Sequence, residues 1–170
     1  KPEVKKNTII AYDLTDISKE AAEKMEKLTW VHDGSTGEVR HGYTLHGVGV
    51  NGLLLKLRVH EGDTHTINQT RKEIVKNLSL SFGGKGIWVF DRGNDGKQWF
   101  VDLRQEINTQ FICRLREKRL IVMKETGAMM KLKELPEGIF KIYLMNKNNT
   151  AVDTRYTYTL VTRKHLANKP

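Results

Sequence analysis

Two aspartates, Asp13 and Asp91, each follow a short apolar run rich in β-forming residues: Thr-Ile-Ile-Ala-Tyr at residues 8–12 and Gly-Ile-Trp-Val-Phe at residues 86–90. Such runs predict strands buried on both faces. A carboxylate ending a buried strand is held rigidly where ligands collect at the margin of an open sheet. Two of them on neighbouring strands can share a hard divalent cation. Magnesium takes oxygen ligands in octahedral geometry and keeps several waters, so two aspartates and a substrate phosphate suffice. With two ions about 3.5 to 4 Å apart, one activates the attacking oxygen and the other stabilises the leaving oxygen of an in-line phosphoryl displacement. That is the chemistry of nucleases and DNA strand transfer. Spacing alone is a weak signal, because aspartate commonly caps turns and helix starts.

Asp16 competes with Asp13 for the first position. Asp13 is preferred because it directly ends the predicted strand, whereas capping the next helix is a sufficient use for Asp16. Asp95 reads as an N-cap rather than a third ligand. The six histidines lack zinc-ligand spacing and cysteine partners. Gly83, Gly84 and Gly86 surround Lys85 without the spacing of a phosphate-binding loop and read as a helix stop and a strand start. Cys113 is the single cysteine, which excludes an internal disulfide and fits a reducing compartment.

The elements that must position the aspartates are legible from periodicity. Residues 18–28 predict a helix with Ala21, Ala22, Met25 and Leu28 on one side. Residues 43–50 and 53–60 predict two strands joined by Asn51-Gly52, a pair that accepts the positive φ of a tight hairpin turn. Residues 66–81 place Ile67, Ile74, Val75 and Leu78 on one helical face. A further helix is expected over residues 95–103 and a short strand over 109–113. Beyond Arg114 come four β-like runs, at residues 119–124, 129–133, 139–145 and 155–162, separated by turn signals.

Charge is segregated along the chain. Residues 1–113 hold 16 Lys and Arg against 15 Asp and Glu, and residues 114–170 hold 13 against 5. A block that basic points to a polyanion such as a nucleic acid backbone. No apolar run is long enough to span a membrane and no signal peptide is recognisable, so the expectation is a soluble, cytoplasmic protein. The chain begins at Lys1 and ends Lys-Pro, and it reads as a piece of a longer polypeptide.

Val-Phe-Asp-Arg-Gly at residues 89–93 resembles the second-aspartate motif of bacterial insertion-sequence DDE transposases, and Ile-Ile-Ala-Tyr-Asp-Leu-Thr-Asp at residues 9–16 is similar to their first. His-Asp-Gly-Ser at 32–35, Gly-Tyr-Thr-Leu-His at 42–46 and Phe-Ile-Cys-Arg-Leu at 111–115 resemble further landmarks in the same order. The resemblance implies an α/β fold: a ribonuclease H-like mixed sheet with flanking helices over residues 1–114, and a small antiparallel β insertion module over 115–170. It implies Asp13 and Asp91 as catalytic metal ligands for two Mg2+ ions, with Mn2+ as a substitute, in DNA cleavage and strand transfer. DNA would be the partner, with Arg92 on a phosphate and Arg116, Lys118, Arg119, Lys131 and Lys133 of the basic module contacting the backbone. The full-length synaptic complex allows a homodimer. The family's catalytic glutamate, on a helix after the insertion within a Tyr, Arg, Glu, Lys pattern, is not recognisable here, so the fragment is expected to be inactive alone. Tyr143, Tyr156 or Tyr158 could stack a base, with cross-strand packing the simpler use. A ribonuclease H-like nuclease and a non-catalytic DNA-binding relative are the alternatives.

Overall fold

The computed structural model describes residues 3–18, 26, 28–32, 36–61, 64–146, 148, 150–163. They form two compact units, Lys1–Asn94 with Trp99–Cys113, and Asp95–Gln98 with Arg114–Pro170.

The first unit is built on a six-stranded mixed sheet. Its strands are β1 (Ile9–Ser18), β2 (Thr29–His32), β3 (Val39–Val50), β4 (Leu53–Val59), β5 (Ile87–Phe90) and β6 (Gln110–Cys113), and its helices α1 (Ile67–Ser81) and, from Trp99 on, α2 (Lys97–Gln105). The strand order is β2-β3-β1-β5-β6, with β4 also paired to β3. β1 runs parallel to β5 and β5 parallel to β6, while β3 is antiparallel to β1. The β3–β4 hairpin turns on Asn51 and Gly52, both at positive φ, as their sequence predicts. Thr66 caps α1 through a reciprocal capping box with Gln69, a device that contributes about 1 kcal/mol.

Side chains alternate across the sheet with period two. Ile10 and Tyr12 of β1, Val48 and Val50 of β3, and Trp88 and Phe90 of β5 are buried. Both helices cover this face. Trp88 Nε1 donates to Ser79 Oγ of α1 at 2.9 Å, Trp99 of α2 meets Phe90 edge-on at 5.5 Å, and Phe100 packs against Phe111 at 5.2 Å. On the opposite face Ile9, Leu54, Leu57 and Ile112 are exposed, and the register row Ala11↔Val89↔Ile112 crosses it.

Two elements differ from their sequence reading. The first strand does not stop before Asp13. It continues to Ser18 because β3 pairs it as far as Ser18↔Gly42, although its ladder with β5 ends at Tyr12↔Phe90. Thr29–His32, which no predicted element covers, is a strand on β3, its Thr-Trp-Val core being β-branched and aromatic. The helix expected over residues 18–28 begins on a residue that belongs to β1 and lies otherwise largely outside the described residues.

The second unit is a four-stranded antiparallel sheet in the order β10-β9-β7-β8, comprising β7 (Leu120–Met123), β8 (Met129–Lys131), β9 (Gly138–Met145) and β10 (Val152–Thr162). Ile121, Ile142, Leu144 and Leu160 form its core. A register shift interrupts the β9–β10 ladder between Asp153 and Tyr158. No helix among the described residues is long and apolar enough to cross a membrane.

The core of the first unit contains a titratable chain. Tyr12 Oη and His46 Nδ1 are 2.6 Å apart, the His46 and His60 rings lie 5.5 Å apart, and Thr70 Oγ1 is 3.3 Å from His60 Nδ1. His46 is wholly buried. Burial, reinforced by His60, Arg58 and Arg71, lowers its pKa to about 4. A histidine whose folded pKa is depressed stabilises the fold above its unfolded value near 6.5 and loses that contribution as pH falls towards the folded one. Between pH 7 and 5 the wild type should therefore lose about 2 kcal/mol more unfolding free energy than a His46→Gln variant, a figure obtained from the shift at 1.36 kcal/mol per pK unit. Urea titrations of both proteins across that range check it, and parallel pH profiles would refute it.

Candidate catalytic carboxylates and basic module

Asp13 and Asp91 each directly follow the last residue pair, Tyr12↔Phe90, of the parallel β1–β5 ladder. Neighbouring strands lie about 4.8 Å apart, so the register brings the two residues side by side. Both are exposed. They also act on a common group: burial raises the Tyr12 hydroxyl well above its ordinary pKa, Arg71 opposes this, and Asp13 and Asp91 add to it. Asp16 is three residues further along β1, and the period-two alternation sends it to the other face from Asp13. There its Oδ1 accepts a 2.6 Å hydrogen bond from Thr44 Oγ1.

Asp91 is held by its own turn and by the core. After β5 the chain enters a 3-10 turn, Arg92–Asn94, in which Asn94 N–H donates to Asp91 O at 3.2 Å. The carboxylate lies over Gly93, where a Cβ would sit 3.2 Å from both oxygens. A side chain there would require the carboxylate to give by a few tenths of an ångström. Asn94 Nδ2 donates to Asp91 Oδ1 at 2.6 Å, and Arg71 Nη1 donates to Asn94 Oδ1 at 2.7 Å. Cys113 Sγ lies 3.4 Å from Asp91 O.

Sequence reading missed Arg71 and Asn94. A signal for the first was present: Arg71 falls within the stripe of Ile67, Ile74, Val75 and Leu78, a charge on the buried face of an amphipathic helix. Its guanidinium stacks on Trp99 at 4.1 Å.

The donor set suits a hard cation in kind, since two exposed carboxylates on adjoining strands offer oxygen ligands. Among the described residues no group of three or more His, Cys, Asp or Glu side chains could hold a metal ion.

The basic residues of the second unit fall into two groups. Arg116, Lys118, Lys131 and Lys133 are exposed. Arg119 is not offered in the same way, because its guanidinium pairs with Asp95, whose other oxygen accepts the Arg116 backbone N–H at 2.8 Å. The Asp95 side chain is fully buried. Its carboxylate thus clamps the turn before β7, a different use from the N-cap its position suggests. Lys97 similarly reaches Asp153 Oδ2 at 3.0 Å, and Arg155, then Lys97, hold the Asp153 carboxyl below its usual range. In the first unit Arg92 is exposed at the start of its turn.

Among solved structures, the fold is similar to a cryo-EM structure of the piggyBac transposase synaptic complex with hairpin DNA, with a TM-score of 0.50 and 13% sequence identity. This is a transposase-like fold. The match covers 85% of this chain and 32% of the transposase chain, so the protein spans about a third of that neighbour's length. No protein-family model matches the sequence, and neither does any curated protein.

Removing the Asp95 carboxylate would break its ion pair with the Arg119 guanidinium, whose side chain is only 15% exposed. Breaking a largely buried pair from one side costs about 3 kcal/mol. Asp95→Ala is expected to lower unfolding free energy by that amount in urea at pH 7; a loss below about 1 kcal/mol, the range of exposed pairs, would show that solvent replaces the guanidinium's partner.

Proposed function

We propose that this chain is part of the catalytic region of a DDE-type DNA transposase with a ribonuclease H-like core, in which Asp13 and Asp91 are the first two metal-binding carboxylates. The observation that carries the reading is the register: the two aspartates of the transposase-like motifs each follow the last pair, Tyr12↔Phe90, of one parallel ladder. The mixed sheet with helices on one face, and the likeness to a transposase solved with hairpin DNA, support it. Mg2+, or Mn2+ in its place, would be held by the two carboxylates and would supply activation of the attacking oxygen and stabilisation of the leaving oxygen in phosphoryl displacement. The protein's own contribution is positional. β1 and β5 fix the spacing of the carboxylates, and the Gly93 turn keeps Asp91 from swinging away. Arg92 is assigned a DNA phosphate, in keeping with the charge-assisted hydrogen bonds guanidinium groups make.

Two carboxylates leave most of a cation's coordination to water, so residues 1–170 alone should bind it weakly and cleave DNA poorly. Paramagnetic broadening of amide signals by Mn2+ tests the site without requiring activity. Broadening should centre on residues 13, 47 and 91–92, and Asp13→Asn or Asp91→Asn should each abolish it. Broadening that survives both substitutions would sink the assignment.

The basic module is assigned to the DNA backbone, transposon end or target, through Arg116, Lys118, Lys131 and Lys133, with Arg119 serving mainly its pair with Asp95. Removing one lysine–phosphate ion pair should reduce the slope of log affinity against log salt by about 0.9 on duplex DNA. Changing Lys118, Lys131 and Lys133 together to alanine should weaken binding and flatten that slope by roughly 2 to 3. A triple variant with unchanged affinity and slope would remove this module from the DNA interface.

A further inference from the structure

The core of the first unit contains a cation, Arg71, that among the described residues donates its hydrogen bonds to amides, while Asp102 and Asp91 act on it only through their charge. Arg71 is 7% exposed, stacks on Trp99 at 4.1 Å, and directs its two terminal nitrogens at amide oxygens: Nη1 to Asn94 at 2.7 Å and Nη2 to Asn68 at 2.9 Å. Its Nε has no hydrogen-bond partner among the described residues. Burying a guanidinium on neutral partners is costly, and replacing such a group with an apolar side chain of similar volume is often neutral or stabilising. What distinguishes Arg71 is that its hydrogen bonds go to amides whose orientation it can set. Asn94 is as unusual. It is 2% exposed and spends both ends of its amide on charged groups, its oxygen on Arg71 and its nitrogen on Asp91 Oδ1 at 2.6 Å. The amide's orientation is set by those neighbours, since only its carbonyl can accept from Arg71 and only its NH2 can donate to a carboxylate.

We propose that Arg71 and Asn94 are positioning residues for Asp91: the buried guanidinium fixes the Asn94 amide, and that amide fixes one carboxylate oxygen so that the other is presented for ligation. The function of this relay rests on Asp91 being a metal ligand as proposed above, whereas its existence does not. Each link has a defined direction. Trp99 holds the guanidinium plane from one side, and the two Asn oxygens set its rotation. Asn94 then has a single satisfied rotamer. With Gly93 leaving no Cβ beneath the carboxylate, Asp91 is confined by a donor on one side and a closely fitted turn on the other. Partners one step removed from a metal ligand typically alter metal affinity by about 10- to 100-fold when mutated.

The experiment uses the 170-residue chain with Mn2+ and NMR. Asn94→Leu should weaken Mn2+ broadening at Asp91 by about 10- to 100-fold in concentration while the protein stays folded. Arg71→Lys, which keeps the charge but not the planar fork, should weaken it as well, and Asn94→Ser is the second variant should the leucine not fold. If these variants bind Mn2+ within twofold of wild type while Asp91→Asn abolishes binding, the relay is overturned and the metal site stands. If Asp13→Asn and Asp91→Asn leave Mn2+ binding unchanged, the metal site has failed instead. The relay is then judged in metal-free protein on the Asn94 side-chain NH2 signals, which a merely space-filling asparagine would not tie to distant charges. Displacement of those signals by both Arg71→Lys and Asp91→Ala upholds it; insensitivity to either overturns it.

Discussion

The parallel register of Ile9–Tyr12 on Ile87–Phe90 is the constraint from which the first unit follows. Because successive side chains alternate between faces, a slip of one residue would move every apolar side chain of one strand to the wrong side. Ile10 and Tyr12 must go with Trp88 and Phe90 into the core beneath the two helices. Once they do, Asp13 and Asp91 are forced to emerge together on the next step. The energy that places the carboxylates is thus not their own. It is hydrophobic burial of four large side chains, each contributing about 1.5 to 3 kcal/mol, and the carboxylates are carried along by connectivity.

That division has a consequence for the two faces of the sheet. The helix-covered face holds the polar groups Tyr12, His46, His60, Arg71 and Asn94, all buried and all linked to a neighbour by a hydrogen bond or ring contact. Such networks are costly when incomplete and rigid when complete. The opposite face carries exposed apolar side chains on β1, β4 and β6, with Asp13 on the same side of β1 as Ile9 and Ala11.

What the sequence made legible was local. Alternation and β-branching marked β5 and β6, Asn51-Gly52 marked a hairpin, and the stripe of Ile67, Ile74, Val75 and Leu78 marked α1. Each signal lies within a window of a few residues. The extension of β1 to Ser18 was not legible, because residues 14–18 lack an apolar run and are held in strand form by β3, whose pairing partners are 24 to 32 residues away. The same holds for the side chains. Asp95 has the position of a helix cap, but its partners Arg116 and Arg119 lie more than twenty residues on. Asn94 is joined to Arg71 across 23 residues. Two aspartates could be read as a pair from their matching contexts, whereas what holds one of them in place could not, since no local pattern encodes a contact between a helix and a distant turn.

The likeness of fold to a transposase at 13% identity belongs to the first kind of information, topology, and topology by itself does not confer an activity. A mixed sheet with helices on one side can persist with unrelated residues at the same strand ends. Details that topology does not require are two aspartates each one residue beyond the same ladder pair, a glycine where a Cβ would crowd one of them, and a buried guanidinium hydrogen-bonded to amides. Position 71 departs from the apolar character of Ile67, Ile74, Val75 and Leu78 on that helix face, and its hydrogen bonds lead through Asn94 to Asp91.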